Sequence, residues 1–192
     1  MNAYEAIIGR RTIRQFDPKP IPRGLLEKIV NAGRLAPSAA NLQPLEYVVV
    51  DDPAVRAEIF PLLKWAAAIA PAGNPRPGHE PTAYAFVLVN TLVRETMYEY
   101  DVGAAVENMA LAAWHEGIAS AWLISIHKPK ITEILGLPGT RLLDSVLALG
   151  YPAQASIVEE MTEERKKYWQ DADLTFHVPK RALRDILRFN KY

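Results

Sequence analysis

The stretch around which this chain is organised reads Arg10-Arg11-Thr12-Ile13-Arg14-Gln15-Phe16-Asp17-Pro18. In an extended segment alternate side chains share a face, so Arg10, Thr12 and Arg14 are expected to point the same way. Guanidinium groups pair bidentately with phosphate oxygens, and a hydroxyl between two of them adds a further donor. The face therefore suits a phosphate, although three arginines alone favour a solvated basic run near a terminus.

Composition limits the partners of this stretch. The chain has 192 residues, with 22 Lys and Arg against 22 Asp and Glu, which predicts one domain spanning residues 1–192 with no net charge. No attraction of the whole protein to nucleic acid or to an anionic membrane is therefore expected. A cluster of arginines on a neutral protein favours a small anion over a polyanion.

Two further features bear on chemistry and location. The chain contains no cysteine, which excludes disulfides, thiolate nucleophiles and cysteine-held metal clusters. The N-terminal residues lack a basic segment followed by an apolar core, and the apolar runs are shorter than a membrane span. We therefore expect a cytoplasmic protein.

Apolar periodicity and helix-breaking residues predict helices alternating with strands. Strands are predicted at 45–50, which should be covered on both faces, and at 84–90, 119–126 and 145–149, the last ended by Gly150-Tyr151-Pro152. Helices are predicted at 2–8, 22–36, 52–69, 98–116 and 129–136, with a last amphipathic one from 179. This alternation predicts an α/β or α+β sandwich with helices on both faces of one sheet.

Three segments carry additional expectations. Residues 71–81 are rich in Pro and Gly and are predicted to form a loop that covers the site. The helix 98–116 contains many small residues, which predicts a central position or a subunit interface. The polar tail suggests that residues 159–192 form a C-terminal arm.

Chemistry driven by side chains alone has little support. No Gly-rich nucleotide loop is present, Ser38 and Ser125 lack a nucleophile elbow, and the four histidines are widely spaced, so surface or capping roles are expected for them. Glu107, within an apolar helix, favours a salt bridge or interface contact over acid–base work. No metal site and no catalytic side chain are predicted, and a bound organic cofactor is the better source of activity.

Four motifs follow one another across most of the chain: Arg10 to Phe16, Ala36-Pro37-Ser38-Ala39-Ala40-Asn41-Leu42-Gln43-Pro44, Asp101-Val102-Gly103-Ala104-Ala105-Val106-Glu107-Asn108-Met109, and Gly150-Tyr151-Pro152. With these four motifs in this order, the chain resembles the nitroreductase family of FMN-dependent oxidoreductases. The resemblance implies an α+β fold, a nitroreductase-like α-β-α sandwich whose central mixed sheet has helices on both faces. It also implies a homodimer that holds FMN at the subunit interface.

The same resemblance assigns roles in cofactor binding. Arg10 and Thr12 would hold the phosphate and nearby ribityl oxygens, with Arg11 as a flanking candidate. Arg14 would face the pyrimidine edge of the flavin, where a guanidinium stabilises the negative charge of the reduced ring. The other subunit would contribute Pro37, Ser38 and Asn41.

Two more segments are implied to take part. The strand end that backs the flavin would be Trp122-Leu123-Ile124, with a bulky Ile124 where the family often has a glycine or a polar residue, and Trp122 fits a plain core role as well. Lys180 and Arg181 would be distal phosphate ligands, although Ala182 replaces the usual proline after them. Leu45 stands where the family often has tryptophan.

The function implied is reduction of an electron-poor acceptor, such as a nitroaromatic or a quinone. NADH or NADPH would reduce the flavin and leave before the acceptor binds, which gives ping-pong kinetics. Two alternatives stay open. One is a dehalogenating or ring-cleaving relative of the same fold, and the other is a non-enzymatic module that binds or stores FMN.

Overall fold

An antiparallel sheet forms the centre of the molecule in the computed structural model, which describes residues 1–192. Its strands are β1 (Phe16–Asp17), β2 (Leu45–Val50), β3 (Ala83–Asn90), β4 (Ala119–Leu123) and β5 (Arg141–Pro152). The long β5 pairs with β3 on one side, while β4 and the short β1 share its other side, and β2 pairs with the outer side of β3. A parallel bridge from Thr12 to Ser120 makes the sheet mixed.

Helices cover both faces of this sheet: α1 (Ala3–Gly9), α2 (Arg23–Arg34), α3 (Pro53–Ile59), α4 (Glu99–His115), α5 (Lys128–Ile134) and the short α6 (Leu183–Ile186). Alternate residues of β3 enter two separate cores. Ala85 and Val87 join a cluster with residues of α2 and α4, whereas Phe86 joins one with residues of α3 and α5. The predicted α+β sandwich is therefore confirmed.

Gly33 of α2 allows this helix to approach α4 closely. A Cβ placed on Gly33 of α2 would lie 2.8 Å from Cγ of Met109 on α4. Ala113 of α4 belongs to the buried cluster that α4 forms with α2, and Ala105 is buried as well. The prediction that this helix is central is confirmed.

Two predicted boundaries are wrong. The helix predicted at 52–69 ends at Ile59, because Pro61 cannot continue it and the chain enters a short 3-10 turn. The strand predicted at 119–126 ends at Leu123.

The strand β2 packs on both faces, as predicted, with Leu45 and Tyr47 against one core and Val48 and Val50 against the other. Because it lies at the sheet edge, its Val49 is still 37% exposed.

Gly150 does not end β5. The strand continues to Pro152, where Pro152 and Tyr151 pair with Phe16 and Asp17 of β1. A Cβ on Gly150 would lie 2.6 Å from the ring of Phe16, so only glycine lets the arginine stretch lie against this strand.

A second, small sheet follows the central one. It consists of β6 (Ser156–Glu160), β7 (Trp169–Gln170) and β8 (Phe176–Lys180), with β8 in the middle, parallel to β6 and antiparallel to β7. The predicted arm at 159–192 thus contains most of a sheet that the sequence does not predict. The amphipathic helix predicted from 179 is reduced to the single turn of α6.

The segment 71–81 contains no helix or strand, as predicted. The side-chain amide of Gln15 donates to the carbonyl of Asn74 (2.9 Å) and accepts from the backbone N–H of Arg76 (3.0 Å). The loop therefore lies against the end of the arginine stretch, and its role as a site cover stays a prediction. No helix of the structure is long and apolar enough to cross a membrane.

Candidate functional site

Four of the predicted residues, Arg10, Thr12, Arg14 and Trp122, meet at one cavity. This cavity, of about 220 Å³, is lined by Arg10, Thr12, Arg14, Val106, Glu107, Ala110, Ser120, Trp122 and Leu147. The stretch is extended because Ile13 donates its backbone N–H to the carbonyl of Ser120 on β4 (3.0 Å). The Ile13 side chain enters the core on the opposite side, so the predicted alternation of this stretch is confirmed.

Arg10 is oriented by a carboxylate of α4. Its Nε donates to Oε1 of Glu107 at 3.1 Å, and its two terminal nitrogens make no hydrogen bond within the chain. Because this salt bridge is partly exposed, it adds little to the stability of the fold and mainly orients the Arg10 guanidinium. The salt bridge expected for Glu107 is confirmed, and it leaves the outer edge of the Arg10 guanidinium free for an anion.

Arg14 is held by aromatic rings rather than by an acid. Its guanidinium carbon lies 5.1 Å from the ring centre of Phe176 and 5.3 Å from that of Tyr168. Its Nε is buried and has no hydrogen-bond partner. Burial lowers the pKa of Arg14, with Tyr168 partly opposing that effect. An unpaired buried donor is costly, so Arg14 is set up to bind something that the chain does not supply.

Arg11 does not reach the cavity. Its Nη1 donates to the carbonyls of Ile8 (2.8 Å) and Arg10 (2.6 Å), where α1 ends. It thereby satisfies carbonyls that a helix end leaves unpaired. The structure gives Arg11 a capping position, and its flanking role in cofactor binding stays a prediction.

The three predicted residues at the end of β4 lie in three different environments. Trp122 lines the cavity, and its indole N–H donates to Oγ of Ser145 (2.9 Å) on the neighbouring strand. Leu123 points to the opposite face and is buried in the core with α3 and α5. Ile124 follows the strand and is exposed. Strand alternation thus brings only Trp122 to the cavity.

The loop with Pro37, Ser38 and Asn41 forms a different recess. Oγ of Ser38 donates to Oδ2 of Asp101 (2.6 Å) and accepts from the backbone N–H of Gln43 (2.9 Å). Asp101 lies in the first turn of α4 and is only 4% exposed. Pro37 and Ser38 line this recess, and Asn41 is exposed beside it.

The backbone of this loop is strained. Ala40, Asn41 and Gln43 have φ values of 53°, 54° and 50°, in the left-handed region that residues with a Cβ seldom adopt. Such conformations cost of order 1 kcal/mol or more each and persist where the surroundings fix them. Here Asp101 and Ser38 accept hydrogen bonds from the backbone N–H groups of Ala39 and Gln43, so the loop is held in one shape.

The remaining predicted residues lie elsewhere in the chain. Lys180 ends β8 and Arg181 follows it, and both are exposed. Nη2 of Arg181 donates to the carbonyl of Asp185 (3.2 Å). Neither residue, and none of Pro37, Ser38 and Asn41, lines the arginine cavity of its own chain.

Several residues of the site were missed by sequence reasoning. Asp101 lies within a quoted motif, but only the fold shows that its carboxylate reaches the Ser38 loop. Tyr168 and Phe176 gave no signal, because their segment has no apolar periodicity. Ser120 and Leu147 reach the cavity through strand register.

Comparisons with known proteins place the chain in one family. The model of the nitroreductase family matches residues 7–151. A provisionally named NADH dehydrogenase/NAD(P)H nitroreductase of Archaeoglobus fulgidus is 32% identical over 155 residues, covering 76% of this chain and 83% of the relative. An iodotyrosine deiodinase of Haliscomenobacter hydrossis is 27% identical over 192 residues, covering 85% of each. The solved structure of an FMN-dependent nitroreductase from Clostridium difficile R20291 superposes with a TM-score of 0.69 at 19% identity, covering 98% of this chain and 99% of the other.

Proposed function

Because the chain belongs to the nitroreductase family of oxidoreductases, we propose that it is an FMN-dependent enzyme. It uses NADH or NADPH to reduce an electron-poor acceptor, such as a nitroaromatic or a quinone, by a ping-pong mechanism. The observation that carries this proposal is the convergence of Arg10, Thr12 and Arg14 on one cavity, with the buried Nε of Arg14 unpaired.

The residues present fit FMN. Two guanidinium groups and a hydroxyl suit a phosphate and polar ring edge, and Trp122 and Leu147 supply an apolar wall. When bound, FMN supplies the two-electron chemistry that side chains lack. Arg10 and Thr12 bind the phosphate end, while Arg14 stabilises negative charge on the reduced ring. The name of the Archaeoglobus fulgidus relative includes NADH and NAD(P)H, and that of the solved Clostridium difficile structure includes FMN.

A homodimer completes the site. The cavity of about 220 Å³ is smaller than the roughly 300–1,000 Å³ of ordinary ligand pockets. Pro37, Ser38 and Asn41 lie outside it, on a strained loop where Asn41 is exposed. A second copy supplies this loop, and Lys180 and Arg181 remain candidates for the phosphate of the completed site.

Reductive dehalogenation is a second candidate. The iodotyrosine deiodinase aligns over 85% of this chain. The loop at 71–81, next to the arginine stretch, is where specificity for a halogenated or a nitro substrate would be decided. Comparing turnover of a nitroaromatic and an iodophenol by the same reduced protein distinguishes the two reactions.

Purification tests the proposal directly. A yellow dimer is expected, whose extracted chromophore is FMN and whose colour bleaches anaerobically on addition of NADH or NADPH. Release of FAD, or no flavin after reconstitution, would overturn the cofactor assignment. A flavin that no nicotinamide reduces would favour the storage module, and a monomeric holoprotein in light scattering would contradict the shared site.

Two arginine variants test the orientation of the stretch. Arg14→Ala is expected to lower the two-electron potential of bound FMN, because the lost contact stabilises the reduced form selectively. A charge-assisted contact is worth roughly 1.5–3 kcal/mol, which corresponds to about 30–60 mV. Arg10→Ala is the matched control and should mainly weaken FMN binding, since the phosphate charge does not change on reduction. If both variants only loosen FMN in potentiometric and binding titrations, Arg14 is another phosphate ligand.

A further inference from the structure

The small sheet and the residues that directly precede its strands hold the side chain and the backbone of Arg14. Tyr168 and Phe176 place their rings against the guanidinium, at 5.3 and 5.1 Å from its carbon. Gln154, just before β6, accepts a hydrogen bond from the backbone N–H of Arg14 (3.2 Å) and donates to the carbonyl of Leu174 (3.2 Å). All of these residues lie after residue 151, where the family match ends.

The two rings form a fixed platform. Phe176 is fully buried, and its ring centre lies 6.2 Å from that of Tyr168. The hydroxyl of Tyr168 accepts the backbone N–H of Ala68 (3.2 Å), so this ring is tied to the body of the molecule. The platform therefore cannot move without breaking contacts on both sides.

Unlike a carboxylate, the two rings leave the N–H groups of Arg14 free to bind a ligand. Aromatic faces attract a guanidinium without using its N–H groups. The Arg14 N–H groups therefore stay available to the cavity, and the Nε has no competing acceptor. A carboxylate would have satisfied these donors and cancelled the positive charge. The arrangement fixes the position of a full positive charge and keeps it unneutralised.

We propose that Tyr168 and Phe176 are positioning residues that hold the Arg14 charge against the flavin, so that the small sheet sets the reduction potential of bound FMN. This inference rests on the proposed function. A charge held at one place stabilises the reduced ring more than a charge on a mobile side chain, because no reorganisation is needed when the ring charge forms. The rings act only through Arg14 and touch neither substrate nor cofactor in this role.

The test is a double-mutant cycle on the FMN holoenzyme, with parent, Arg14→Ala, Tyr168→Leu and the double variant. Tyr168→Leu is expected to reduce the preference for reduced over oxidised FMN about tenfold, which lowers the potential by about 30 mV. In the Arg14→Ala background the same substitution should change nothing further. Phe176→Leu removes the other ring, keeps an apolar side chain and should give the same drop.

Tyr168→Phe is the matched control, because it keeps the ring and removes only the hydroxyl that accepts from Ala68. It should lower the potential by much less than Tyr168→Leu, because the ring face against Arg14 remains and only the contact with Ala68 is lost. A parental potential in both leucine variants, an additive effect in the double variant, or an equal drop in Tyr168→Phe would each overturn the inference while FMN binding by the parent leaves the proposed function standing. A parent that binds no FMN would overturn the proposed function first, and this inference with it.

Discussion

The two sheets of this molecule are built on different physical principles. In the central sheet every residue from Ala83 to Val89 is buried, and the strand enters apolar clusters on both faces. In the small sheet only Phe176 is fully buried, and the other residues of its three strands are half-buried or exposed. Burial of apolar surface depends little on pH, whereas contacts between charged groups depend on it strongly. The two sheets should therefore respond differently to the same perturbation.

A histidine between two carboxylates ties the small sheet together. His177 on β8 contacts Oδ2 of Asp171 (3.0 Å) through Nε2 and Oε2 of Glu159 (3.2 Å) through Nδ1. Trp169 of β7 stacks on its ring at 3.9 Å and donates its indole N–H to Oε1 of Glu159 (2.8 Å). The hydrogen bond with Asp171 raises the pKa of His177, and that with His177 lowers the pKa of Asp171. The contact with Trp169 lowers the pKa of Glu159.

The largest effect is expected in the central sheet. Phe86 is fully buried in the core with α3 and α5. Phe86→Ala should lower the free energy of unfolding by about 3–5 kcal/mol, because it removes apolar contacts and leaves a cavity. Denaturant titration measures this loss. Val49→Ala, at the exposed edge of the same sheet, is the control and should cost much less. Equal losses in the two variants would mean that burial does not explain the stability of this sheet.

The difference between the sheets also explains what the sequence predicted. The strands at Leu45–Val50 and Ala83–Asn90 could be predicted because a run of apolar residues in the sequence indicates a buried strand. The extension of β5 to Pro152 was missed, since its pairing with β1 depends on the close approach of Phe16 to Gly150. The small sheet was missed because charged residues far apart in the chain hold it, and no local pattern reports such contacts.

The residues of the candidate site also fall into those that the sequence predicts and those that it does not. Arg10, Thr12 and Arg14 could be grouped from strand alternation alone, and the structure places all three at one cavity. The carboxylate of Asp101 beneath Ser38 and the ring of Tyr168 beside Arg14 are contacts between distant segments. Sequence reasoning thus found the groups that face a ligand and missed those that hold them in place.

Raising the pH should loosen the small sheet and leave the central sheet unchanged. The folded pKa of His177 is raised, so its contribution is complete below the unfolded value of about 6.5 and is lost as the pH rises through the folded value. The folded pKa values of Glu159 and Asp171 are lowered, so their contributions exist above the unfolded values and are lost as the pH falls through the folded ones. Hydrogen-exchange protection of β6 to β8 should therefore be greatest at about pH 5–6.5.

His177→Gln is the control for this pH dependence. The amide keeps hydrogen-bonding capacity but has no charge to lose, so the decline of protection above about pH 6.5 should disappear. Protection in β3 should be the same in parent and variant across this range. A decline that persists in His177→Gln, or that spreads equally to β3, would show that another group controls the opening.

The smallest effect is expected from Trp169→Phe, which separates the stacked ring from its hydrogen bond. Phenylalanine can still stack on His177, but it cannot donate to Glu159, and that donation is the largest cause of the lowered pKa of Glu159. The pKa of Glu159 should therefore rise toward the ordinary value of about 4.3, and the acid limit of small-sheet protection should move to higher pH with it. The alkaline limit should move little, because the largest cause of the raised pKa of His177 is Asp171, which this substitution does not touch. Carboxyl chemical shifts followed by NMR through an acid titration measure the change. An unchanged Glu159 titration would assign its low pKa to His177 instead, and Glu159 and Asp171 would then act on the histidine as equivalent partners.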